Sequence, residues 1–206
     1  MGNLLSNFSM LKSVILIFSF TYAYAILRYH LGKNIPLSEF LYILNKAFSW
    51  TAFTLITWSI LPKQFFENKK TNRKFFGISG YLIASLHIIL NIILLNNIRF
   101  PNFYADSGAW NLNFYLVSTA GLISFIIFSI VFLVSIDFWK VKNKETILSL
   151  GFFGVLINLF HPFFLGYQRW FDINSWPFYL PPITMLAFLF GILVLLFKQI
   201  LNLKKH

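Results

Sequence analysis

Long apolar runs separated by short polar and charged stretches dominate the chain. The runs fall at about 11–29, 39–61, 75–97, 112–136, 147–168 and 178–200. Each approaches the roughly 20 residues that a helix needs to cross a hydrocarbon core of ~30 Å. The connections between them leave no room for a second domain. Residues 1–206 are therefore read as one transmembrane domain of an all-α integral membrane protein, a six-transmembrane-helix bundle. Ala23, Tyr24 and Ala25 resemble a small-x-small cleavage site, but the apolar run before them is long for a signal peptide, so the first run is read as a retained span.

Composition agrees with that reading. The chain is 58% hydrophobic and only 11% charged, whereas soluble domains carry about 25% charged residues. A net charge of +11 would ordinarily raise nucleic acid as a partner. Here the charges sit in clusters between apolar runs, so they act as topology signals and contacts to membrane lipid, and no nucleic-acid partner is expected. Lys12, Lys63, Lys69, Lys70, Arg73, Lys74, Lys140, Lys142, Lys144, Lys198, Lys204 and Lys205 fall on one side of the six runs. Arg28, Lys33, Arg99 and Arg169 fall on the other. The imbalance predicts both termini in the cytoplasm. Trp110, Trp170 and Trp176, with Tyr104, Tyr167 and Tyr179, gather on the outer side as an interfacial belt. The short chain favours a bacterial inner membrane. Cysteine is absent, which excludes disulfides, iron–sulfur ligation and thiol chemistry. There is no Walker A motif, GxGxxG or HExxH.

An ionisable residue inside a span is a functional hypothesis by default. Lys46, His87 and His161 are the candidates, and no acidic residue accompanies them at a span centre. Lys46 lies one or two turns inside the outer end of span two and is expected to snorkel to the interface. His87 is 12 residues into span three, roughly 18 Å along the axis, and His161 is 14 residues into span five, roughly 21 Å. The two therefore sit at similar depth. Gly77, Gly80 and Ala84 precede His87 by 10, 7 and 3 residues, and Gly151, Gly154 and Asn158 precede His161 by the same offsets. Those offsets share one helical face. Small residues on such a face serve close helix packing. They also leave the volume that a porphyrin clamped edge-on between two imidazoles requires. Neutral imidazole suits iron, and a bis-imidazole iron has no open position, which favours electron transfer. The matched depth and spacing favour one b-type haem on His87 and His161 as metal ligands. Pro162 deletes the hydrogen bond to the Asn158 carbonyl and should kink span five, with or without a role in aiming His161. Arg169 and Arg99 near the outer face are placed to pair with haem propionates or, the commoner role, to meet lipid headgroups.

At these residues the sequence resembles the ferric-reductase-like transmembrane superfamily, and within it the MsrQ-type haem subunits that partner periplasmic methionine-sulfoxide reductases. The resemblance runs from about residue 31 to 200, through LGKNIPLSEF, SILPKQF, a basic loop, FFGISGYLIASLH and FYLVSTAGLISFIIFSIVFLVS. In that superfamily, histidines on spans three and five hold b-type haem, and electrons move outward across the membrane. The resemblance thus implies outer-haem ligand roles for His87 and His161. Two-haem members carry further histidines about four turns closer to the cytoplasm. Here the residues 13 before each ligand are Lys74 and Leu148, which implies a single haem. The Trp–Leu–His run of MsrQ-type span five is absent.

The expected function is electron transfer from a cytoplasmic or quinol donor to an acceptor on the outer side, either a periplasmic redox partner or metal ions. The chain has no flavin or nicotinamide domain of its own. A quinol or a separate flavoprotein must then supply electrons across an inner half of about 20 Å by helical rise. The alternative is a cofactor-free transporter or a structural subunit of a membrane complex. Against ion coupling stands the lack of a membrane-embedded carboxylate. An intramembrane enzyme using histidine as a base would lack a partner carboxylate, serine dyad or metal-ligand cluster.

Overall fold

The structure is a computed structural model and describes residues 2–61, 71–140 and 144–203. Lys63, Lys69, Lys70, Lys142, Lys204 and Lys205, six of the charges behind the orientation reading, lie outside the described residues. The elements are α1 (Gly2–Ala25), running on into a π-helical turn (Ile26–Leu31), α2 (Phe40–Ser59), α3 (Thr71–Leu94), α4 (Leu112–Ser135), α5 (Lys144–Asn158), α6 (Phe160–Gly166) and α7 (Ile183–Leu203). Among the described residues the only β pairing is an isolated bridge between Tyr104 and Trp110.

Five stretches are long and apolar enough to cross a membrane: Ser9–Leu31, Arg73–Leu94, Leu112–Ser135, Glu145–Arg169 and Pro177–Leu201. They match five of the six expected spans. Their outward faces are apolar, as Leu16, Phe20, Ile92, Ile93, Leu122 and Leu193 show. Exposed apolar surface on this scale suits contact with lipid tails.

The sixth expected span, 39–61, is α2, and it differs in kind. It is a 20-residue helix, about 30 Å long at 1.5 Å per residue. Its sequence carries Asn45, Lys46, Ser49, Thr51, Thr54 and Thr57, so it falls short of the apolarity of the other five. Burial supplies the reason such a helix is tolerated. Ile43, Asn45, Ala47, Thr51, Ala52, Leu55 and Thr57 are all enclosed, because α2 packs on α1, α3 and α7 at once. A helix shielded by neighbours can carry polar groups so long as they find partners. Thr51 does, through a 2.6 Å hydroxyl contact with Thr21 of α1.

Span five stays helical through Pro162: Leu159 keeps right-handed helical backbone at φ −61° and ψ −31°, its N–H donates to the Val155 carbonyl at 3.1 Å, and only the regular α-helical pattern is interrupted there. α5 ends at Asn158 and α6 resumes at Phe160. The helix α7 starts later than the apolar run, at Ile183. Phe178 and Tyr179 take left-handed backbone, with φ of 51° and 57°. Pro181 and Pro182 follow, and a residue before proline disfavours helix.

Three connectors, 32–39, 95–111 and 167–182, meet at one end of the bundle. Tyr42 packs edge-on to Phe100 at 5.8 Å between centroids. Arg169 donates to Asn102 Oδ1 at 3.2 Å, and Tyr24 donates its hydroxyl to the Pro181 carbonyl at 2.6 Å. Gly32 lies against Pro177 so closely that a Cβ there would collide with the proline ring. Arg99 clamps Glu39 in bidentate fashion, Nε to Oε2 at 2.6 Å and Nη2 to Oε1 at 2.9 Å. The Arg99 guanidinium, through those hydrogen bonds first, holds the Glu39 carboxyl below its ordinary range. The pair's contribution is therefore complete above the ordinary carboxylate pKa of about 4.3 and is lost as pH falls below it. We expect the melting temperature in detergent to drop on the acid side, and Glu39→Gln to make that drop shallower. Identical acid limbs in both proteins would show that the pair contributes nothing.

Candidate functional site

His87 leaves α3 toward α2 and enters a closed ring of three side chains. Asn45 Nδ2 donates to Asn91 Oδ1 at 2.8 Å. Asn91 Nδ2 donates to His87 Nε2 at 2.9 Å. A carbonyl oxygen can only accept, so His87 Nδ1–H donates to Asn45 Oδ1 at 2.6 Å. The ring fixes a neutral imidazole with its proton on Nδ1. Asn91 stands four residues after His87, one turn along the same face. Asn45 comes from α2 and is fully buried.

His161 is the second residue of α6, directly after that interruption in span five. Its Nδ1–H donates to the Val117 carbonyl of α4 at 3.0 Å. Gly121 makes that approach possible, since a Cβ there would lie 2.9 Å from His161 Nδ1. His161 and Lys46 are both near enough to His87 to bear on it electrostatically, and Lys46 acts on His161 as well. The structure thus gathers the three ionisable residues singled out within the spans. Lys46 does not simply extend to an interface. Its Nζ lies over the Tyr42 ring at 4.6 Å and the Phe100 ring at 4.9 Å, two cation–π contacts at the connector end.

The small-residue stripes go elsewhere. A Cβ at Gly80 would lie 2.8 Å from Ile56 Cγ1 and 3.0 Å from the Ile56 backbone nitrogen. A Cβ at Gly154 would lie 2.7 Å from Phe128 Cε1 and 2.9 Å from Ile127 Cγ2. Gly77 faces Ser59, and Gly151 faces Ile60 at ordinary contact distance. Ala84 packs on the core, and Asn158 is half-buried. Gly80 therefore serves the α2–α3 contact and Gly154 the α4–α5 contact, with side chains already filling the space beside each. Close helix packing accounts for both glycines without a porphyrin. Arg169, expected near a propionate, is exposed and bonded to Asn102.

Whether haem fits is decided by the donor set. A metal-ligating histidine donates its second ring N–H to a carbonyl or carboxylate, which fixes the tautomer and leaves the other nitrogen as ligand. Both histidines have that arrangement, His161 through Val117 and His87 through Asn45. The ligand nitrogen would be Nε2 in each. At His87 the Asn91 amide already occupies it, and that amide would have to turn away. The donor chemistry fits. No group of three or more His, Cys, Asp or Glu side chains able to hold a bare metal ion occurs among the described residues. Asn45, Asn91, Val117 and Gly121 escaped the sequence reading. Asn91 alone had a local signal, its spacing from His87.

No protein-family model matches the chain.

Proposed function

We propose that the chain is a six-span cytochrome subunit with both termini cytoplasmic, in a bacterial inner membrane, that holds one b-type haem through His87 and His161. Electrons would pass from a quinol or a cytoplasmic flavoprotein to an acceptor on the outer side, as in ferric-reductase-like and MsrQ-type membrane subunits. The observation that carries the reading is the shared tautomer: two buried-span histidines, each with Nδ1–H donated to an oxygen. When bound, the haem supplies a one-electron couple at an iron with no open coordination position. The protein's own residues orient and tune. Asn45 and the Val117 carbonyl hold the two ring planes and raise the basicity of each Nε2. Gly121 gives the His161 ring clearance against α4. Lys46 stands next to Asn45 in α2, the residue that bonds His87.

A cofactor-free structural or transport subunit is favoured by one observation, the closure of the Asn45–His87–Asn91 ring, which leaves His87 fully satisfied by protein alone. The deciding measurement is a dithionite-reduced minus air-oxidised spectrum of the detergent-purified protein, with haem counted per chain. A sharp b-type α-band at about one haem per chain supports the cytochrome reading. No haem in protein made with haem supplied removes it.

Asn45→Ala separates the readings further. In a cofactor-free protein it strands the His87 N–H and costs about 1–3 kcal/mol of stability. In a cytochrome it leaves haem bound but shifts the midpoint potential, because the ligand loses its orienting acceptor. An unchanged potential with full haem would show that Asn45 does not support the ligand.

A further inference from the structure

The connector end of the bundle holds a cation that no carboxylate among the described residues neutralises. Arg28 lies in the π-helical turn Ile26–Leu31 and is 3% exposed. Its Nε and Nη1 are buried and have no hydrogen-bond partner among the described residues. Short π-helical segments mark functional sites more often than chance. A buried guanidinium with two of its three nitrogens unpartnered carries a desolvation cost of several kcal/mol, which proteins retain only where something offsets it.

Other positive charges surround it instead of carboxylates. The Tyr29 ring centroid is 5.9 Å from Arg28 Cζ and 5.8 Å from Lys33 Nζ. Tyr29 packs edge-on to Tyr42 at 6.2 Å, and Tyr42 carries Lys46 on its face. Arg28, Arg169 and Lys46 are all close enough to Lys33 for their charges to repel it. The two ion pairs among the described residues, Lys74–Asp137 and Arg99–Glu39, include none of these four. Glu39 on this end gives both its oxygens to Arg99, and Asp106 and Asp172, exposed carboxylates of the other two connectors, form no ion pair with any of the four. Lys33 and Arg169 are exposed, while Arg28 is buried. The cations thus run from the surface down to the partly unsatisfied guanidinium.

We propose that this end of the bundle is an oxyanion site, with Arg28 at its base and Lys33 and Arg169 at its mouth, that takes a phosphate group. Nε and Nη1 stand on different edges of the guanidinium, so each has an N–H left for an anion oxygen, and a guanidinium suits phosphate as a partner. Tyr29 walls the site and holds the remaining edge of the guanidinium, leaving Nε and Nη1 for the anion. The phosphate can come from an anionic lipid headgroup, since the site opens where the apolar spans end. It can equally be a free anion from the adjoining water. The site does not depend on haem.

The test is thermal unfolding of the full-length protein in a neutral detergent, read by tryptophan fluorescence, for wild type and Arg28→Met. The probes are dioleoylphosphatidylglycerol against dioleoylphosphatidylcholine, and sodium phosphate against sodium chloride at equal ionic strength. Wild type should gain about 5 °C with saturating anion. Arg28→Met should lose that gain yet melt no lower than wild type without anion, because it removes an unpaired charge. Lys33→Gln should weaken the response and keep the rest. A gain with the anionic lipid alone assigns a headgroup site; a gain with phosphate as well assigns an aqueous anion. The proposal falls if neither probe shifts wild type, if Arg28→Met responds equally, or if Arg28→Met melts well below wild type in neutral detergent. It also falls if the two proteins differ only when haem is bound, since the guanidinium would then serve a propionate.

Discussion

Alanine at His161 should lower haem from about one per chain to under about a tenth, and alanine at His87 should do the same, if the protein holds haem through His87 and His161 as proposed. This is the largest effect expected under the cytochrome reading, because His87 and His161 are the residues that would hold the haem and alanine supplies no nitrogen in place of either. The two variants should still insert and run as folded monodisperse protein, for different reasons. His161→Ala frees the Val117 carbonyl, but a helical carbonyl keeps its backbone bond and tolerates the loss. His87→Ala leaves Asn45 and Asn91 bonded to each other. Haem content and the α-band are measured together with the elution profile. Full haem in both variants would overturn the ligand assignment. Loss in one alone would point to a single axial histidine and a second ligand from elsewhere.

Leucine at Gly80 is expected to abolish folded protein, haem or no haem. Its Cβ would meet Ile56 Cγ1 at 2.8 Å, the Ile56 nitrogen at 3.0 Å and Leu55 Cβ at 3.1 Å. Two of these are backbone or backbone-proximal atoms of α2, so the obstacle cannot turn aside as a flexible side-chain end could. Overpacking commonly costs about 1–3 kcal/mol, and here the whole α2–α3 contact must open. That contact is the most extensive helix pairing in the bundle. The consequence for the haem question is direct. A porphyrin lost from Gly80→Leu cannot be credited to filled porphyrin volume unless the helices remain packed. Proteolysis of the variant in membranes, against wild type, is the check. Wild-type resistance to protease would show that α3 has room beside Gly80 and would restore the stripe as a porphyrin floor.

Length and apolarity were enough to place five of the six expected spans, because a helix exposed to lipid must satisfy its own backbone and present apolar side chains all along it. Span four was expected at 112–136 and is helical over Leu112–Ser135. The hydrogen bond missing at Pro162 was legible because proline has no N–H to give. The shared face of Gly80 and His87, and of Gly154 and His161, was also legible, since it follows from 3.6 residues per turn. What periodicity cannot say is which neighbour a face meets. Gly80 turned out to face α2 and Gly154 to face α4, so two stripes alike in sequence do different packing. Asn45 completes the hydrogen bonds of His87 from 42 residues away, and only the placement of α2 against α3 brings them together. The same placement makes α2 the enclosed helix, which is why it can carry Asn45 and Lys46. Arg28 read as a topology charge from sequence, because a guanidinium near a span end normally reaches water. Burial beneath the connectors, which no local signal encodes, is what left its Nε and Nη1 without a partner.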